Sequence, residues 1–259
     1  MSRTGTVNYH VHKPERQAFH IDAGGVTGAI VAPELIATEI GLRDLRDGGA
    51  GVTFEEDGIS YAPLPSAVKR FDGSGDWQAT YDGELTAHLI RELGASEVVV
   101  FDHTVRIDDP QSTRRPARNV HSDYSREGAQ KRLRDILGDE RAAEWERGRY
   151  AFVNVWRPID NPINTAPLGF VRPSSVAPQD WVLIDLIYPD RRGHIMGLAA
   201  NERHDWLYLS RMTPDEVVAF NIYDSFGHPS VGHSAVDLVE DPGVNSIRKS
   251  IETRTLLRF

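Results

Sequence analysis

Apolar and polar positions repeat at two periods along this 259-residue chain, and each period predicts one kind of element. Three helices are predicted in the first 150 residues, at 33–46, 81–93 and 125–137, because each apolar pattern ends at or shortly before a glycine. The first of them also begins at a proline, a residue favoured in the first turn of a helix. We therefore place the helices of this protein early in the chain.

Short apolar runs, many of them alternating, dominate the remaining sequence and predict strands. The predicted strands lie at 97–105, 150–156, 181–188, 195–199, 206–209, 217–223, 231–238 and 251–259. Turns rich in Pro, Gly, Asp and Asn separate them, which is typical of an antiparallel sandwich or barrel. The predicted fold class is mainly β with flanking helices, built on a cupin-like jelly-roll core.

Composition limits both the architecture and the class of partner. With 40% hydrophobic and 26% charged residues this is an ordinary globular sequence, and no Pro/Gly/Ser-rich stretch divides it. We predict one domain over residues 1–259, with a variable N-terminal part at 1–95 and the jelly-roll core at 96–259. The formal net charge of -9 argues against nucleic acid as a partner, and it leaves small molecules as the expected substrates.

The chain contains no cysteine, so any metal site must be built from His, Asp and Glu side chains. We find no signal-peptide pattern at the N-terminus and no apolar run of membrane-spanning length. A cytoplasmic protein without membrane attachment is therefore predicted. A homodimer is expected only from the general frequency of such dimers.

The triplet His121-Ser122-Asp123 is the first candidate for chemistry. In an extended segment residues i and i+2 project from the same face, so the imidazole and the carboxylate can bind one ion. Together with one distant histidine they would complete the 2-His-1-carboxylate triad of non-haem Fe(II) oxygenases, which leaves coordination positions open. The alternative is a polar turn or helix cap in which Asp123 accepts hydrogen bonds from backbone amides.

The distant histidine is assigned to His233. A turn precedes the predicted buried strand 217–223, and the next predicted strand, which runs back beside it, contains this residue. Such a return places a C-terminal histidine at the open end of a barrel, where small barrels hold ligands. His204 is the rival ligand. If it does not bind the metal, we expect His204 to orient another site residue or to contact substrate, and we expect Tyr208 to contact substrate.

A carboxylate-binding pair is predicted at Arg248 and Ser250, two residues apart at the start of the last strand. A guanidinium binds a carboxylate in a bidentate fork, and the hydroxyl can donate to the same group, here the distal carboxylate of 2-oxoglutarate. An exposed basic turn is the alternative. Asn154 and Arg157 occupy positions of a predicted barrel strand where apolar residues are usual, and they are expected either to contact a carboxylate of co-substrate or substrate or to form a structural ion pair.

Several phrases over about residues 119–259 resemble a known family. They are Asn154-Val155-Trp156-Arg157-Pro158, Asn201-x-x-His204-x-Trp206-x-Tyr208, Met212-Thr213-Pro214-Asp215-Glu216, Tyr223-Asp224-Ser225, His233-Ser234-Ala235 and Arg248-x-Ser250-Ile251-Glu252-x-Arg254. The sequence is similar to the non-haem Fe(II)/2-oxoglutarate oxygenases that include the cephalosporin 7α-methoxylase component and the fungal asaB-type hydroxylase/desaturase proteins. The resemblance implies a double-stranded β-helix, Fe(II) and 2-oxoglutarate as cofactors, and O2 as oxidant.

The reaction implied by the resemblance is oxidation of a C–H bond in a small molecule of secondary metabolism, by hydroxylation, desaturation or cyclisation. Asp123 occupies the coordination position that a halide would need, which argues against halogenation. Two other classes remain open. One is a non-catalytic jelly roll that binds a metal or a ligand, and the other is a metallohydrolase that uses the same three residues with Zn(II).

Overall fold

The architecture is described from a computed structural model, which covers residues 3–20, 32–47, 51–72, 76–244 and 246–259. The strands are β1 (Arg3–His10), β2 (Gln17–His20), β3 (Leu35–Asp44), β4 (Ile59–Pro63), β5 (Glu97–Ile107), β6 (His121–Ser122), β7 (Tyr150–Pro158), β8 (Leu168–Val171), β9 (Trp181–Ile187), β10 (Arg192–Leu198), β11 (Trp206–Tyr208), β12 (Glu216–Asp224), β13 (Gly232–Ala235) and β14 (Lys249–Arg258). The helices are α1 (Phe54–Asp57), α2 (Trp77–Leu93), α3 (Arg126–Leu137) and α4 (Asp139–Trp145).

Two sheets make up the body of the described protein. The larger has the strand order β1-β3-β11-β8-β13-β6-β10-β9-β2, and the smaller has the order β4-β12-β7-β14-β5. Their inner faces pack together in one apolar core, in which the rings of Phe170 on β8 and Phe220 on β12 lie 5.1 Å apart. Most neighbouring strands are antiparallel, while β11 pairs with β3 and β2 pairs with β9 in parallel.

Helix α2 covers the outer face of the smaller sheet. Its buried residues Tyr81, Leu85 and Leu89 pack on Val153 and Val155 of β7. The helix ends at Gly94, which adopts the left-handed conformation (φ 72°) that glycine tolerates without a Cβ clash. The predicted helix at 81–93 is therefore confirmed, with one additional turn at its start.

The predicted helix at 125–137 is also confirmed, as α3. The hydroxyl of Ser125 accepts a hydrogen bond from the backbone amide of Gly128 and so caps its first turn. All eight predicted strands are present with shifted ends, and β13 covers the smallest share of its prediction, four of the eight residues 231–238. Strands β1, β2, β4, β6 and β8 were not predicted. Among the described helices, none is both long and apolar enough to cross a membrane.

The helix predicted at 33–46 is wrong, because residues 35–44 form strand β3. Along its second half burial alternates with a period of two: Ile40 and Leu42 are buried while Glu39, Gly41 and Arg43 are exposed. β3 pairs antiparallel with β1 along the full length of β1. Pairing with a distant strand thus overrides the local helical pattern, as is common for half-buried strands.

Candidate metal centre and co-substrate pocket

His121, Asp123 and His233 lie together between the two sheets. One potential ligand atom from each lies within 4.8 Å of the others. The convergence follows from strand register, since His233 on β13 pairs directly opposite His121 on β6. Directly opposed residues on antiparallel strands project from the same face, and their ring centroids here are 4.5 Å apart. Asp123 follows two residues after His121 and completes the cluster.

Each histidine ring is oriented by a backbone carbonyl two residues earlier in the chain. Nδ1 of His121 donates to the carbonyl of Asn119 at 2.8 Å, and Nδ1 of His233 donates to the carbonyl of Val231 at 3.2 Å. A carbonyl can only accept, so in the neutral ring Nδ1 carries the proton and Nε2 has a free lone pair. This is the tautomer in which imidazole binds a metal through Nε2.

The Asp123 carboxylate is held on one side only. Its Oδ2 accepts hydrogen bonds from Nδ2 of Asn154 at 2.9 Å and from Nε of Arg254 at 3.2 Å. Its Oδ1 lies 3.5 Å from Nε2 of His121. Burial by itself would raise the pKa of Asp123, but the charge of Arg254 and the neighbouring imidazoles together hold that pKa well below its usual range.

Burial acts in the opposite direction on His233. Desolvation, aided by the neighbouring His121, lowers the pKa of His233 to about 4. The ring is consequently neutral at neutral pH, which is the protonation state that a metal requires. Two imidazoles and one carboxylate form a donor set that fits Fe(II) and would leave coordination positions open.

A small cavity extends from the two histidines to a buried arginine. It is lined by Arg106, Ala117, His121, Trp156, Leu168, His233, Ala235, Arg248 and Glu252. Ser250 lies opposite Arg106 in the pairing of β14 with β5, so this hydroxyl and two guanidinium groups lie near one end of the cavity.

Arg248 and Ser250 are buried, and Nε and Nη1 of Arg248 and the Ser250 hydroxyl have no hydrogen-bond partner among the described residues. Desolvation, with repulsion from Arg106, lowers the pKa of Arg248 to about 9, so it is still charged at neutral pH. A buried guanidinium with free donors calls for an anion. A carboxylate of 2-oxoglutarate fits these donors, because a guanidinium and a carboxylate match as a bidentate pair.

The structure brings Asn154 to this centre but not Arg157. Successive side chains of β7 alternate between its two faces, so Asn154 and Trp156 face the core between the sheets. Arg157 faces outward, where it donates to the carbonyl of Leu64 and lies 5.5 Å above the Tyr81 ring. Asn154 contacts the carboxylate of Asp123, whereas the expectation for it was contact with a carboxylate of a bound small molecule or an ion pair.

His204 and Tyr208 lie away from the cavity, in a separate apolar cluster with Trp206. Both ring nitrogens of His204 have partners: Tyr9 Oη is 2.8 Å from Nδ1, and Asp180 Oδ2 is 3.3 Å from Nε2. His204 therefore belongs to a buried polar network and not to the cluster formed by the other two histidines.

Replacing His204 by alanine is expected to leave Fe(II) affinity unchanged and to lower the free energy of unfolding by about 1–3 kcal/mol, because Asp180 and Tyr9 lose a buried partner. Urea unfolding of the metal-free protein measures the stability, and an anaerobic Fe(II) titration measures the affinity. A folded variant that no longer binds iron would instead make His204 a ligand.

Two residues of the centre, Glu252 and Arg254, belong to a phrase that carries the family resemblance, but the sequence analysis assigns them no role. They continue a row of alternate positions that faces the core. The row begins at Arg248, just before β14, and continues along the strand at Ser250. The sequence does contain a signal for this row: four polar residues alternate with other residues, among them the apolar Ile251. A continuous polar row facing a core is unusual unless its members bind something or one another.

Known proteins with similar sequences identify the family. A family described as an oxidoreductase/YMDC permease-like domain matches residues 8–258. The hydroxylase/desaturase efuI of Hormonema carpetanum is 30% identical over an alignment of 246 positions, which covers 83% of this chain and 82% of that protein. The chain belongs to this oxidoreductase family. The hydroxylase/desaturase CTB9 of Cercospora beticola is also similar, with 31% identity over an alignment of 260 positions that covers 89% of this chain and 79% of that protein.

A further relative is the Fe(II)/2-oxoglutarate-dependent dioxygenase nvfI of Aspergillus novofumigatus, which is 29% identical over an alignment of 215 positions that covers 80% of this chain and 76% of that protein. The solved structure of the iron and alpha-ketoglutarate-dependent endoperoxidase NvfI superposes with a TM-score of 0.86 at 23% identity, covering 99% of this chain and 98% of that chain. The predicted jelly-roll core and the predicted family resemblance are confirmed. The chain is an oxidoreductase of the Fe(II)/2-oxoglutarate-dependent dioxygenases.

Proposed function

We propose that this protein oxidises a C–H bond of a small secondary metabolite, with His121, Asp123 and His233 holding Fe(II) and with 2-oxoglutarate as co-substrate. The observation that carries the proposal is one cavity that joins the two histidines to the buried Arg248, whose Nε and Nη1 have no hydrogen-bond partner in the described part of the chain. A metal ligand set alone would suit several chemistries. An anion-binding group within reach of it favours a co-substrate that chelates the metal and carries a second carboxylate.

The residues of the site have three roles: they bind the metal, they bind the co-substrate, and they exclude water. His121, Asp123 and His233 would hold Fe(II), and an ion held by only three protein ligands would leave room for 2-oxoglutarate and O2. Arg248 and Ser250 bind the distal carboxylate and fix the direction in which the co-substrate lies. Trp156, whose ring lies 5.4 Å from Cζ of Arg248, covers that guanidinium and keeps water from it. Bound Fe(II) supplies the activation of O2, coupled to conversion of 2-oxoglutarate into succinate and CO2.

The outcome of the oxidation depends on which carbon the substrate presents to the metal, so that hydroxylation, desaturation and cyclisation all fit the proposed site. The relatives named above carry the names hydroxylase/desaturase and endoperoxidase. We propose one domain over residues 1–259 and a small-molecule substrate. Cytoplasmic localisation, the lack of a nucleic-acid partner and a homodimer stay predictions from the sequence.

Anaerobic addition of Fe(II) and then 2-oxoglutarate to the purified protein tests this function. We expect a weak visible charge-transfer band that saturates with 2-oxoglutarate, and succinate formation when O2 is admitted with a substrate. The same protein loaded with Zn(II) serves as a control that gives neither signal. Folded, iron-loaded protein that gives no band would exclude the oxygenase, and hydrolysis by the Zn(II) form would favour a metallohydrolase.

A further inference from the structure

One oxygen of the Asp123 carboxylate, Oδ2, accepts hydrogen bonds from two donors on two different strands. Asn154 on β7 and Arg254 on β14 both donate to Oδ2, and these two residues pair directly across the strands. Oδ1 receives neither of these hydrogen bonds and lies on the side of His121. A carboxylate can bind a cation through one oxygen or through both. Here the environment of the two oxygens is unequal before any ion is bound.

Arg254 is itself fixed independently of Asp123. Its Nη1 donates to Asp102 at 2.7 Å and to Thr104 at 3.1 Å, and its Nη2 lies 2.7 Å from Glu252. Apart from Nε, which donates to Asp123, both remaining nitrogens of the guanidinium bind neighbours on β5 and β14, so these two strands set its plane. Rotating Asp123 so that Oδ2 reaches the metal would break bonds to a donor that cannot follow.

We infer that Arg254 is a positioning residue which, together with Asn154, restricts Asp123 to binding the metal through Oδ1 alone. This inference rests on the proposed function, since it concerns the same metal. If Asp123 bound through both oxygens, four of six octahedral positions would be filled by protein. A co-substrate that takes two positions would then leave none for O2. The two donors thus keep one coordination position open.

Arg254 also connects the metal ligand to the co-substrate cavity. Glu252 lines that cavity, and its carboxylate is paired with the same guanidinium that holds Asp123. Arg254 consequently neutralises the acidic residues nearest the metal without contacting the metal or the cavity directly. Its role is to set the geometry and charge of Asp123, and it takes no part in bond breaking.

The test uses the full chain with Co(II) in place of Fe(II), so that no turnover is needed. Titrations of Co(II), and then of 2-oxoglutarate at saturating Co(II), are followed by calorimetry and by the visible spectrum of Co(II), which reports its coordination. The variants are Arg254→Met, Arg254→Lys and Asn154→Leu. Arg258→Met is the matched control, because Arg258 lies on the same strand and pairs with Glu144 at the surface.

We expect Arg254→Met to bind Co(II) about 10–100-fold more weakly, as is typical when a partner that orients a metal ligand is removed. Its 2-oxoglutarate affinity should fall by about 10-fold as well, with an altered Co(II) spectrum, because Asp123 now occupies a second position. Asn154→Leu should move the same readouts in the same direction, Arg254→Lys should restore them in part, and Arg258→Met should match the wild type.

A folded Arg254→Met protein with wild-type Co(II) affinity, 2-oxoglutarate affinity and spectrum would overturn the inference. If that variant fails to fold, Asn154→Leu decides, since it removes one donor from the same oxygen without leaving an unpaired charge. The outcome is separable from the proposed function. Co(II) binding that survives His121→Ala would mean that the metal site itself is misplaced, whereas the positioning role fails alone if only the Arg254 and Asn154 variants behave as wild type.

Discussion

Replacing His121 by alanine is expected to lower the affinity for Fe(II) by more than about 100-fold and to abolish 2-oxoglutarate turnover. Loss of a residue that merely orients a metal ligand costs about 10–100-fold, so loss of a ligand itself should cost more. His121 also lies directly opposite His233 across two strands, and two remaining ligands no longer enclose a position for the ion. An anaerobic competition titration against an iron chelator gives the affinity.

The matched control for this variant is His12→Ala. His12 is exposed and contacts only the carbonyl of Gln179 among the interactions that the structure records for its ring. We expect the control to retain wild-type iron affinity, and circular dichroism should confirm that both metal-free variants keep the β-sheet fold. Wild-type iron binding by folded His121→Ala protein would refute the assigned ligand set.

Replacing Arg248 by methionine is the second change with a large expected effect. Removing one partner of a buried charged hydrogen-bond pair costs about 2–4 kcal/mol, which corresponds to a 2-oxoglutarate affinity about 30- to 1,000-fold weaker. Iron affinity should change little, because Arg248 contacts none of the three ligands in the hydrogen bonds recorded for the described residues. Calorimetric titration of 2-oxoglutarate into the iron-loaded protein without O2 measures the effect.

Arg248→Met should at the same time leave the metal-free protein as stable as the wild type or make it more stable. Without an anion the guanidinium is a buried charge with free donors, and methionine fills similar space at no such cost. Arg157→Met is the control, since Arg157 is equally buried but faces α2. If the 2-oxoglutarate affinity falls in Arg157→Met and not in Arg248→Met, Arg157 and not Arg248 binds the distal carboxylate of 2-oxoglutarate.

The sequence predicts the β-rich second half well because its strands are long enough for their alternation to be read. The central strand β7 and the C-terminal strand β14 each show that pattern, and both are present close to where it places them. Strand β6 has only two residues, which is too short for any periodicity. That strand nevertheless carries His121, so its pairing with β13 is a property of the assembled sheet and not of a local pattern.

The N-terminal region was predicted less well for a different reason. Ile36 and Ile40 are spaced as on one face of a helix, but they pair with Tyr9 and Gly5 of β1, which lie 27 and 35 residues earlier in the chain. The pattern of neighbouring residues contains no information about a pairing partner that is distant in sequence. The site shows the same limit: the His121-x-Asp123 spacing and Arg248-x-Ser250 were readable, whereas the bond from Arg254 to Asp123 joins residues 131 positions apart.

The most direct measurement of the central claim is a crystal structure of the protein with Fe(II) and 2-oxoglutarate, prepared without O2 and with diffraction data collected at the iron absorption edge. The account predicts a single anomalous peak in coordination contact with Nε2 of His121, Nε2 of His233 and Oδ1 of Asp123, with the distal carboxylate of 2-oxoglutarate on Arg248. A peak bound elsewhere, or 2-oxoglutarate density that leaves Arg248 without an anion, would contradict it.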